Sequence, residues 1–134
     1  MIRNMIIYAG LLMISNYSFS QNKLEIEITG LANNTGMLML QLFDDSGKII
    51  SQDMKEIANL SCSFSFTSLE SGKYAVRYYH DENLNGKMDT NNLGKPTEGY
   101  GFSNNVISKI GSPPFKKWLF ELNENKKIEL KANY

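Results

Sequence analysis

The sequence predicts an all-β domain, an antiparallel two-sheet β-sandwich of about seven strands with one long functional loop. Apolar residues recur with period two, and not 3.6, through most of residues 21–134. Turn residues follow roughly every ten positions, which is the spacing of short strands in a sandwich. The 134 residues, 42% of them hydrophobic, suffice for one domain with a modest core. A small β-barrel is the alternative architecture.

Residues 1–20 carry the pattern of a secretory signal peptide. Arg3 supplies the positive charge, Met5 to Ile14 the apolar segment, and Ser18-Phe19-Ser20 a small-x-small cleavage site before Gln21. The apolar segment is too short for the roughly 30 Å core of a bilayer. We therefore expect the remainder of the chain to be a single exported domain, periplasmic or extracellular, without a transmembrane segment. An uncleaved N-terminal anchor is the alternative.

Charge and cysteine content exclude several classes of protein. Lys and Arg together number 14, as do Asp and Glu. The sequence therefore has no excess of basic residues that would indicate binding to nucleic acid. Cys62 is the only cysteine, so an internal disulfide is impossible. It shares parity with Phe64 and Phe66, which predicts a small apolar residue on the core side of a strand. A catalytic pair with His80, the only histidine, lacks any orienting pattern around it.

The strands can be assigned from alternation, because every second residue of a strand faces the same side. The first two strands are predicted to form a hairpin through Asn33-Asn34-Thr35-Gly36, and Ile49–Met54 is a weaker edge strand. Pro113-Pro114 are compatible with a short helical turn after them. The predicted inner faces are Leu24, Ile26 and Ile28; Leu38, Leu40 and Leu42; Cys62, Phe64 and Phe66; Tyr74, Val76 and Tyr78; Trp118, Phe120 and Leu122; and Ile128, Leu130 and Ala132.

Tyr74 follows the turn Ser71-Gly72 and opens a strand. The arrangement resembles the turn-then-Tyr pattern of transthyretin-like and immunoglobulin-like sandwiches. In those folds the tyrosine hydroxyl bonds back to the backbone at a corner of the sheet. We therefore expect a structural role for this side chain.

The most informative stretch begins at the end of that strand and has the spacing of an EF-hand-like calcium loop. Calcium binds six to eight oxygen ligands, which alternate residues of a tightly curled loop can direct at one ion. Gly86 stands at position 6, where the loop must turn sharply. The predicted calcium ligands at positions 1, 3, 5, 7, 9 and 12 are Asp81, Asn83, Asn85, the Lys87 carbonyl, Asp89 and Asn92.

The loop departs from the full pattern in its charge. Position 12 is Asn92 instead of a bidentate Glu, and only Asp81 and Asp89 are charged. Fewer charges weaken binding, so a dissociation constant of roughly 10⁻⁴ to 10⁻³ M is expected unless Glu82 or Glu98 adds a carboxylate. The alternative is a hairpin turn without metal, since an Asn-Gly pair favours a two-residue turn by itself.

A second part of the long connection, which runs from Asp81 to about Pro114, places aromatic residues between glycines. Connections of this length without periodic pattern are usually functional or disordered. The rings either cover one end of the core as a lid or offer a stacking surface to a sugar or peptide. The candidate ligand-binding residues are Glu98, Tyr100, Phe102 and Asn104.

Two motifs in this region resemble a known family. They are His80-Asp81-Glu82-Asn83-x-Asn85-Gly86-x-x-Asp89 and Glu98-Gly99-Tyr100-Gly101-Phe102-Ser103-Asn104-Asn105. With Pro113-Pro114-Phe115 and the closing strand, they resemble the DUF2141 family of small exported bacterial proteins. The resemblance spans nearly the whole mature chain. It implies an exported sandwich-like domain and implies no reaction, substrate or partner.

Two classes of function are compatible with these residues. The first is a non-catalytic module that presents a calcium-stiffened loop to a glycan, a protein or another component of the cell envelope. The second is a hydrolase of an envelope polymer with two carboxylates among Asp81, Glu82, Asp89 and Glu98 as acid and base. Acids that converge on one point favour the ion, whereas an acid in the apolar wall of a deep cleft favours the enzyme.

Overall fold

Two β-sheets make up the computed structural model of the chain, which describes Ser15 and residues 18–134. Most of the predicted signal peptide lies outside the described residues, and the first strand begins at Gln21. In the described part of the chain no helix is long and apolar enough to cross a membrane. The strands are β1 (Gln21–Thr29), β2 (Met37–Asp44), β3 (Ile49–Glu56), β4 (Cys62–Glu70), β5 (Gly72–Asp81), β6 (Tyr100–Phe102), β7 (Phe120–Leu122) and β8 (Lys126–Lys131), with 3-10 turns at Ser103–Asn105 and Phe115–Lys117.

The all-β sandwich prediction is confirmed. One sheet has the order β4-β1-β8, and the other has the order β3-β2-β5-β6 with β7 also paired to β5. The strand pairs are antiparallel as predicted, with one exception, because β8 runs parallel to β1. Parallel neighbours need a long crossover connection, and here β2 to β7 all lie between them in the chain. The strand missing from the predicted seven is β6, which is three residues long and lies inside the long connection.

The main core fills the space between the two sheets. Leu38, Leu40 and Leu42 of β2 are all 0% exposed and face residues from β1 across the sandwich. The period-two faces predicted for five of the six core strands are therefore confirmed. The residues of this core include Leu24, Ile26, Ile28, Phe64, Tyr74, Val76, Tyr78, Phe120, Leu122, Leu130 and Ala132, with Phe66 and Ile128 partly buried against it.

The predicted hairpin between the first two strands is wrong. β1 pairs with β4 and β8, whereas β2 pairs with β3 and β5, so the connection through Asn33-Asn34-Thr35-Gly36 crosses from one sheet to the other. Alternation fixes which side of a strand is buried, and two strands that face each other across a sandwich alternate in the same way as two that pair. Gly36 is needed at this crossing, because a Cβ there would collide with the backbone carbonyl of Asp81.

Trp118 was predicted to share the inner face with Phe120 and Leu122, and this is wrong. It packs on the outer face of the five-stranded sheet with Phe43, Ala75 and Phe102. The reason is local, because Trp118 has helical dihedral angles (φ −83°, ψ −21°) after the 3-10 turn Phe115–Lys117. Period two does not extend through such a turn. The helical turn predicted after Pro113-Pro114 is confirmed.

The predicted corner interaction is also confirmed. The Tyr74 hydroxyl donates a hydrogen bond of 2.7 Å to the backbone carbonyl of Glu70, across the turn between β4 and β5. Its ring belongs to the main core. Tyr74 thus fixes the start of β5, the strand whose other end delivers Asp81.

Candidate functional site

The end of strand β5 positions the first residue of the candidate site. Asp81 pairs with Met37 at the last register position of β5 and is only 2% exposed. Its two carboxylate oxygens accept the backbone N–H groups of Asn85 (3.1 Å) and Gly86 (2.8 Å). Gly86 has φ +79°, a left-handed conformation that favours glycine. The carboxylate therefore closes the tight turn that the spacing predicted. We call residues 81–98 the polar loop.

The side chains at the third, fifth and ninth positions of the polar loop meet. The amide groups of Asn83 and Asn85 both donate hydrogen bonds to the carboxylate of Asp89, the second at 2.7 Å. The carbonyl oxygens of the same amides accept backbone N–H groups two residues onward, from Asn85 and Lys87. Four of the six predicted calcium-binding residues are thus brought together around one turn, with the backbone of Lys87 beside them.

Asn92 does not join this cluster. It is exposed at the tip of a separate turn, in which the Asn91 side chain accepts the N–H groups of Leu93 (2.9 Å) and Lys95 (3.0 Å). Thr90 bridges to Pro96 at the base of that turn. The polar loop therefore contains two successive turns, each organised by an Asx side chain, and position 12 belongs to the second.

Glu98 lies behind the polar loop and is only 4% exposed. One carboxylate oxygen accepts the N–H of Glu82 and the other the N–H of Asp89, both at 3.0 Å. The neighbouring Thr97 N–H donates to the Asp89 carbonyl at 2.9 Å. Glu98 thus ties the two ends of the first turn together. Sequence reasoning treated it as an additional ligand and did not anticipate this bridging position.

The other candidate ligand-binding residues take separate places. Phe102 is buried against Trp118, with ring centroids 4.4 Å apart, in the cluster on the outer face of the five-stranded sheet and not over one end of the main core. Tyr100 is only half-buried and faces solvent beside it. Asn104 has φ +61° and donates to the carbonyls of Lys117 (3.0 Å) and Leu119 (2.9 Å). This three-residue strand therefore carries one buried ring and one partly accessible ring, and Asn104 holds the following segment in place.

The two glycines around Tyr100 are explained by tyrosine rings that cross them. A Cβ at Gly101 would collide with the Tyr78 ring and hydroxyl, and one at Gly99 would collide with the Tyr134 ring. The Gly-x-Gly spacing therefore allows strand β6 to lie close over two aromatic side chains, which is a requirement of packing.

Cys62 and His80 are both buried and do not pair. The Cys62 thiol lies 3.5 Å from the Glu56 carbonyl, and burial raises its pKa. The His80 Nε2 donates to the Thr35 carbonyl at 2.6 Å, and its Nδ1 lies 3.2 Å from the Tyr134 hydroxyl. The prediction of Cys62 as a core residue is confirmed. His80 is buried and contacts both Tyr134 and Thr35, the latter in the connection that crosses between the sheets.

Among the described residues no three His, Cys, Asp or Glu side chains come close enough together to hold a metal. The oxygen atoms around the first turn of the polar loop come instead from a mixture of carboxylates, side-chain amides and backbone carbonyls. Of the four carboxylates considered for catalysis, Asp81 and Glu98 are buried and accept backbone N–H groups with both oxygens. Glu82 accepts a hydrogen bond from Asn33.

A groove beside the polar loop is a feature that the sequence patterns did not indicate. It lies on the outer face of the five-stranded sheet and is lined by Arg77, Tyr79 and Tyr100, among others. The outward parity of these strand residues is the sequence signal for such a surface, but parity does not show which strands stand side by side. Arg77 and Tyr79 are on the opposite side of β5 from the core residues Val76 and Tyr78.

The fold and site define the class of this protein as a two-sheet β-sandwich domain with a tyrosine corner and one long polar loop. Residues 26–129 match the DUF2141 family model, described as an uncharacterized protein conserved in bacteria, and the chain belongs to this family. No curated protein and no solved structure matches the chain.

Proposed function

We propose that this protein is a non-catalytic exported module that binds calcium weakly in its polar loop. The sandwich would present this loop to a ligand outside the cytoplasm, a glycan, a protein or another envelope component. The observation that carries the proposal is the meeting of Asn83, Asn85 and Asp89 around the turn that Asp81 closes. Oxygen-bearing side chains with this spacing are the donor set of a calcium loop.

The proposed ion would be held by these four side chains and the Lys87 carbonyl. Calcium would replace the hydrogen bonds that Asn83 and Asn85 donate to Asp89, because both amides must then turn their oxygens inward. Only Asp81 and Asp89 contribute charge, and Asn92 lies in the second turn. Both facts support weak binding, with a dissociation constant of roughly 10⁻⁴ to 10⁻³ M.

Thermal unfolding in EDTA and in calcium tests this proposal. Ligand that binds only the folded state stabilises it, so about 10 mM calcium against a Kd of about 0.1 mM adds about 2.7 kcal/mol. We expect the melting temperature to rise by several degrees. Magnesium should have a much smaller effect, because it demands tight octahedral geometry and releases water reluctantly. An identical melting temperature in EDTA and in calcium would contradict the proposal and leave a plain hairpin turn.

A matched pair of variants assigns the effect to the loop. Asp89→Ala removes one of the two charges. The Asp89 carboxylate accepts its hydrogen bonds from side-chain amides and not from the backbone, so the turn that Asp81 closes should persist. We expect this variant to lose most of the calcium shift. Lys87→Ala should keep the shift, because position 7 contributes its backbone carbonyl. Equal shifts in both variants would place the ion elsewhere.

The hydrogen bonds of the buried carboxylates favour binding over hydrolysis. Both oxygens of Asp81 and of Glu98 accept backbone N–H groups, which suits carboxylates that organise a loop. A general acid or base must instead reach a substrate proton directly or through one water. The proposed role of these two carboxylates is therefore to organise the loop, with Asp81 also serving as a calcium ligand.

Export is supported by the agreement between the sequence pattern and the first strand. Strand β1 starts at Gln21, the residue that follows the predicted cleavage site. Cleavage before Gln21 would therefore keep all eight strands of the described residues in the mature chain. Mass spectrometry of the protein isolated from its native cells should find an N-terminus at or near Gln21, and an intact Met1 would contradict export by cleavage.

A further inference from the structure

The groove beside the polar loop has a volume of about 370 Å³, within the range of small-molecule sites. Its floor is the outer face of four strands, where side chains stand in two rows across the sheet. Its rim is formed by Gly86–Met88 of the polar loop and by Ser112. The first row is Gln52, Gln41, Arg77 and Phe102, and the second contains Met39, Tyr79 and Tyr100.

Arg77 is held in one orientation within the first row. Its Nε and one Nη donate to the side-chain oxygen of Gln41, the former at 3.1 Å, and Gln41 in turn donates to Gln52 at 2.9 Å. The guanidinium carbon also lies 5.5 Å from the centroid of the Phe43 ring. A guanidinium has five N–H donors, so donors beyond the two that Gln41 receives are available to a ligand. This is a cation whose geometry is set before a ligand arrives.

The groove carries positive charge without compensating acid. Arg77 and Lys87 line it, and none of its lining residues is Asp or Glu. Within the described residues neither cation forms a salt bridge. A guanidinium fork matches a carboxylate, which it can bind through two parallel hydrogen bonds. The charge of the groove therefore selects an anionic group.

The second row provides a different kind of contact. Tyr79 and Tyr100 are half-buried partners across β5 and β6, and Met39 lies next to them on β2. Their rings offer apolar faces with polar tips, which suit a ligand that is apolar on one side and hydroxylated at its edge. Gln52 and Ser112 add polar groups near the same space.

We propose that this groove binds a carboxylated sugar, the uronic acid unit of an acidic glycan. The carboxylate pairs with Arg77 and Lys87, the C–H face of the sugar ring lies against Tyr79 and Tyr100, and the ring hydroxyls meet the glutamine amides. This rests on the ligand-binding part of the proposed function and adds the class of ligand. It does not depend on calcium, since the cations and rings that carry it belong mainly to the sheet.

Isothermal titration with a short galacturonic acid oligomer, in EDTA and at low salt, tests the proposal. EDTA prevents calcium from bridging the sugar carboxylates, and low salt limits the screening of charge. We expect the acid to bind and its methyl ester, which keeps the ring and loses the charge, to bind at least about tenfold more weakly. A neutral galactose oligomer should behave like the ester. Equal binding of acid and ester, or no binding of the acid, would overturn the proposal.

Variants locate the binding in the groove. Arg77→Gln should lower the affinity at least about tenfold, and Arg77→Lys should recover only part of it, because an ammonium lacks the planar fork. Lys87→Gln changes an exposed rim residue without disturbing packing, so its severalfold loss is informative even where Arg77→Gln folds poorly. Lys109→Gln, an exposed cation outside the groove, is the control and should bind as the parent protein does. Unchanged affinity in both Arg77→Gln and Lys87→Gln would refute the site.

The two proposals fail separately. If Asp89→Ala loses the calcium shift and still binds the acidic sugar, both proposals stand and the sites are independent. If the parent protein shows no calcium shift but binds the acid through Arg77, only the calcium proposal is wrong. If the calcium shift is present and the acid does not bind, only the groove is wrong.

Discussion

The sandwich and the polar loop are stabilised by different interactions. In the sandwich, leucine side chains such as Leu40 are fully buried between the sheets, and the backbone groups pair across strands. In the polar loop, leucines point outward, and Leu93 is 92% exposed. There the backbone N–H groups donate to Asp81, Asn91 and Glu98. Leucine side chains therefore stabilise the sandwich but not the polar loop, where hydrogen-bond acceptors have that role.

This difference separates two physical requirements. The sandwich needs apolar volume in the right parity, because burial of apolar surface is the main favourable term in folding. The polar loop needs hydrogen-bond acceptors at defined positions, because over most of its length no strand among the described residues pairs with its backbone. Matched substitutions in the two regions can test the distinction directly.

The largest expected effect is a leucine truncation in the core. Leu40→Ala leaves a cavity in a fully buried site and should lower the free energy of unfolding by about 2–5 kcal/mol. Leu93→Ala makes the same change at an exposed position of the polar loop and should alter it by less than about 0.5 kcal/mol. Urea unfolding followed by circular dichroism measures both. Similar losses in the two variants would mean that Leu93 is buried in solution.

The inner faces of the strands could be predicted because alternation is a property of neighbouring residues. Leu24, Leu38 and Val76 are buried as their parity required. The partners of each strand could not be predicted in this way, since pairing depends on where distant segments cross the sandwich. The wrong hairpin before Met37 and the parallel placement of β8 are both errors of this kind. The predicted inward position of Trp118 was wrong for a local reason, because a 3-10 turn precedes this residue and interrupts the alternation.

In the candidate site too, local features could be predicted from the sequence and contacts between distant segments could not. The convergence of Asn83, Asn85 and Asp89 follows from spacing within one short segment, and the sequence predicted it. The bridging position of Glu98 and the groove around Arg77 depend on contacts between segments far apart in the chain. No spacing within the sequence encodes the order of β3, β2, β5 and β6 that creates the groove. Calcium binding itself stays a prediction.

The next effect in size belongs to the polar loop. Glu98→Gln keeps the shape of the side chain, but its amide can accept from only one of the N–H groups of Glu82 and Asp89 and turns donors toward the other. A buried N–H without an acceptor should cost about 2 kcal/mol. The control is Glu129→Gln on the exposed face of β8, which should change the free energy of unfolding by less than about 0.5 kcal/mol. Equal effects would remove the distinction between loop and sandwich for polar residues.

The smallest effect concerns tyrosine hydroxyl groups inside the sandwich. There a buried hydroxyl without a hydrogen-bond partner should lower stability, because the core requires apolar groups. Tyr78 is 1% exposed, and its hydroxyl has no hydrogen-bond partner among the described residues. Tyr78→Phe removes a buried polar group that gains nothing, so the protein should become more stable by about 1 kcal/mol. Tyr74→Phe, on the same face of the same strand, loses its bond to Glu70 and should become less stable by about 1 kcal/mol.

The dependence on pH sharpens this last contrast. Burial, with a smaller contribution from Tyr134, raises the pKa of Tyr78 above the ordinary value of 10.0. Above about pH 10 the unfolded chain therefore releases this proton while the folded chain keeps it, so the parent protein loses stability as pH rises. Tyr78→Phe lacks this loss, because it has no hydroxyl at position 78 and is otherwise identical to the parent protein. The stability advantage of Tyr78→Phe in urea should be constant below about pH 9 and should widen by about 1 kcal/mol near pH 11. An advantage that stays constant across this range would show that the Tyr78 hydroxyl is solvated in the folded protein.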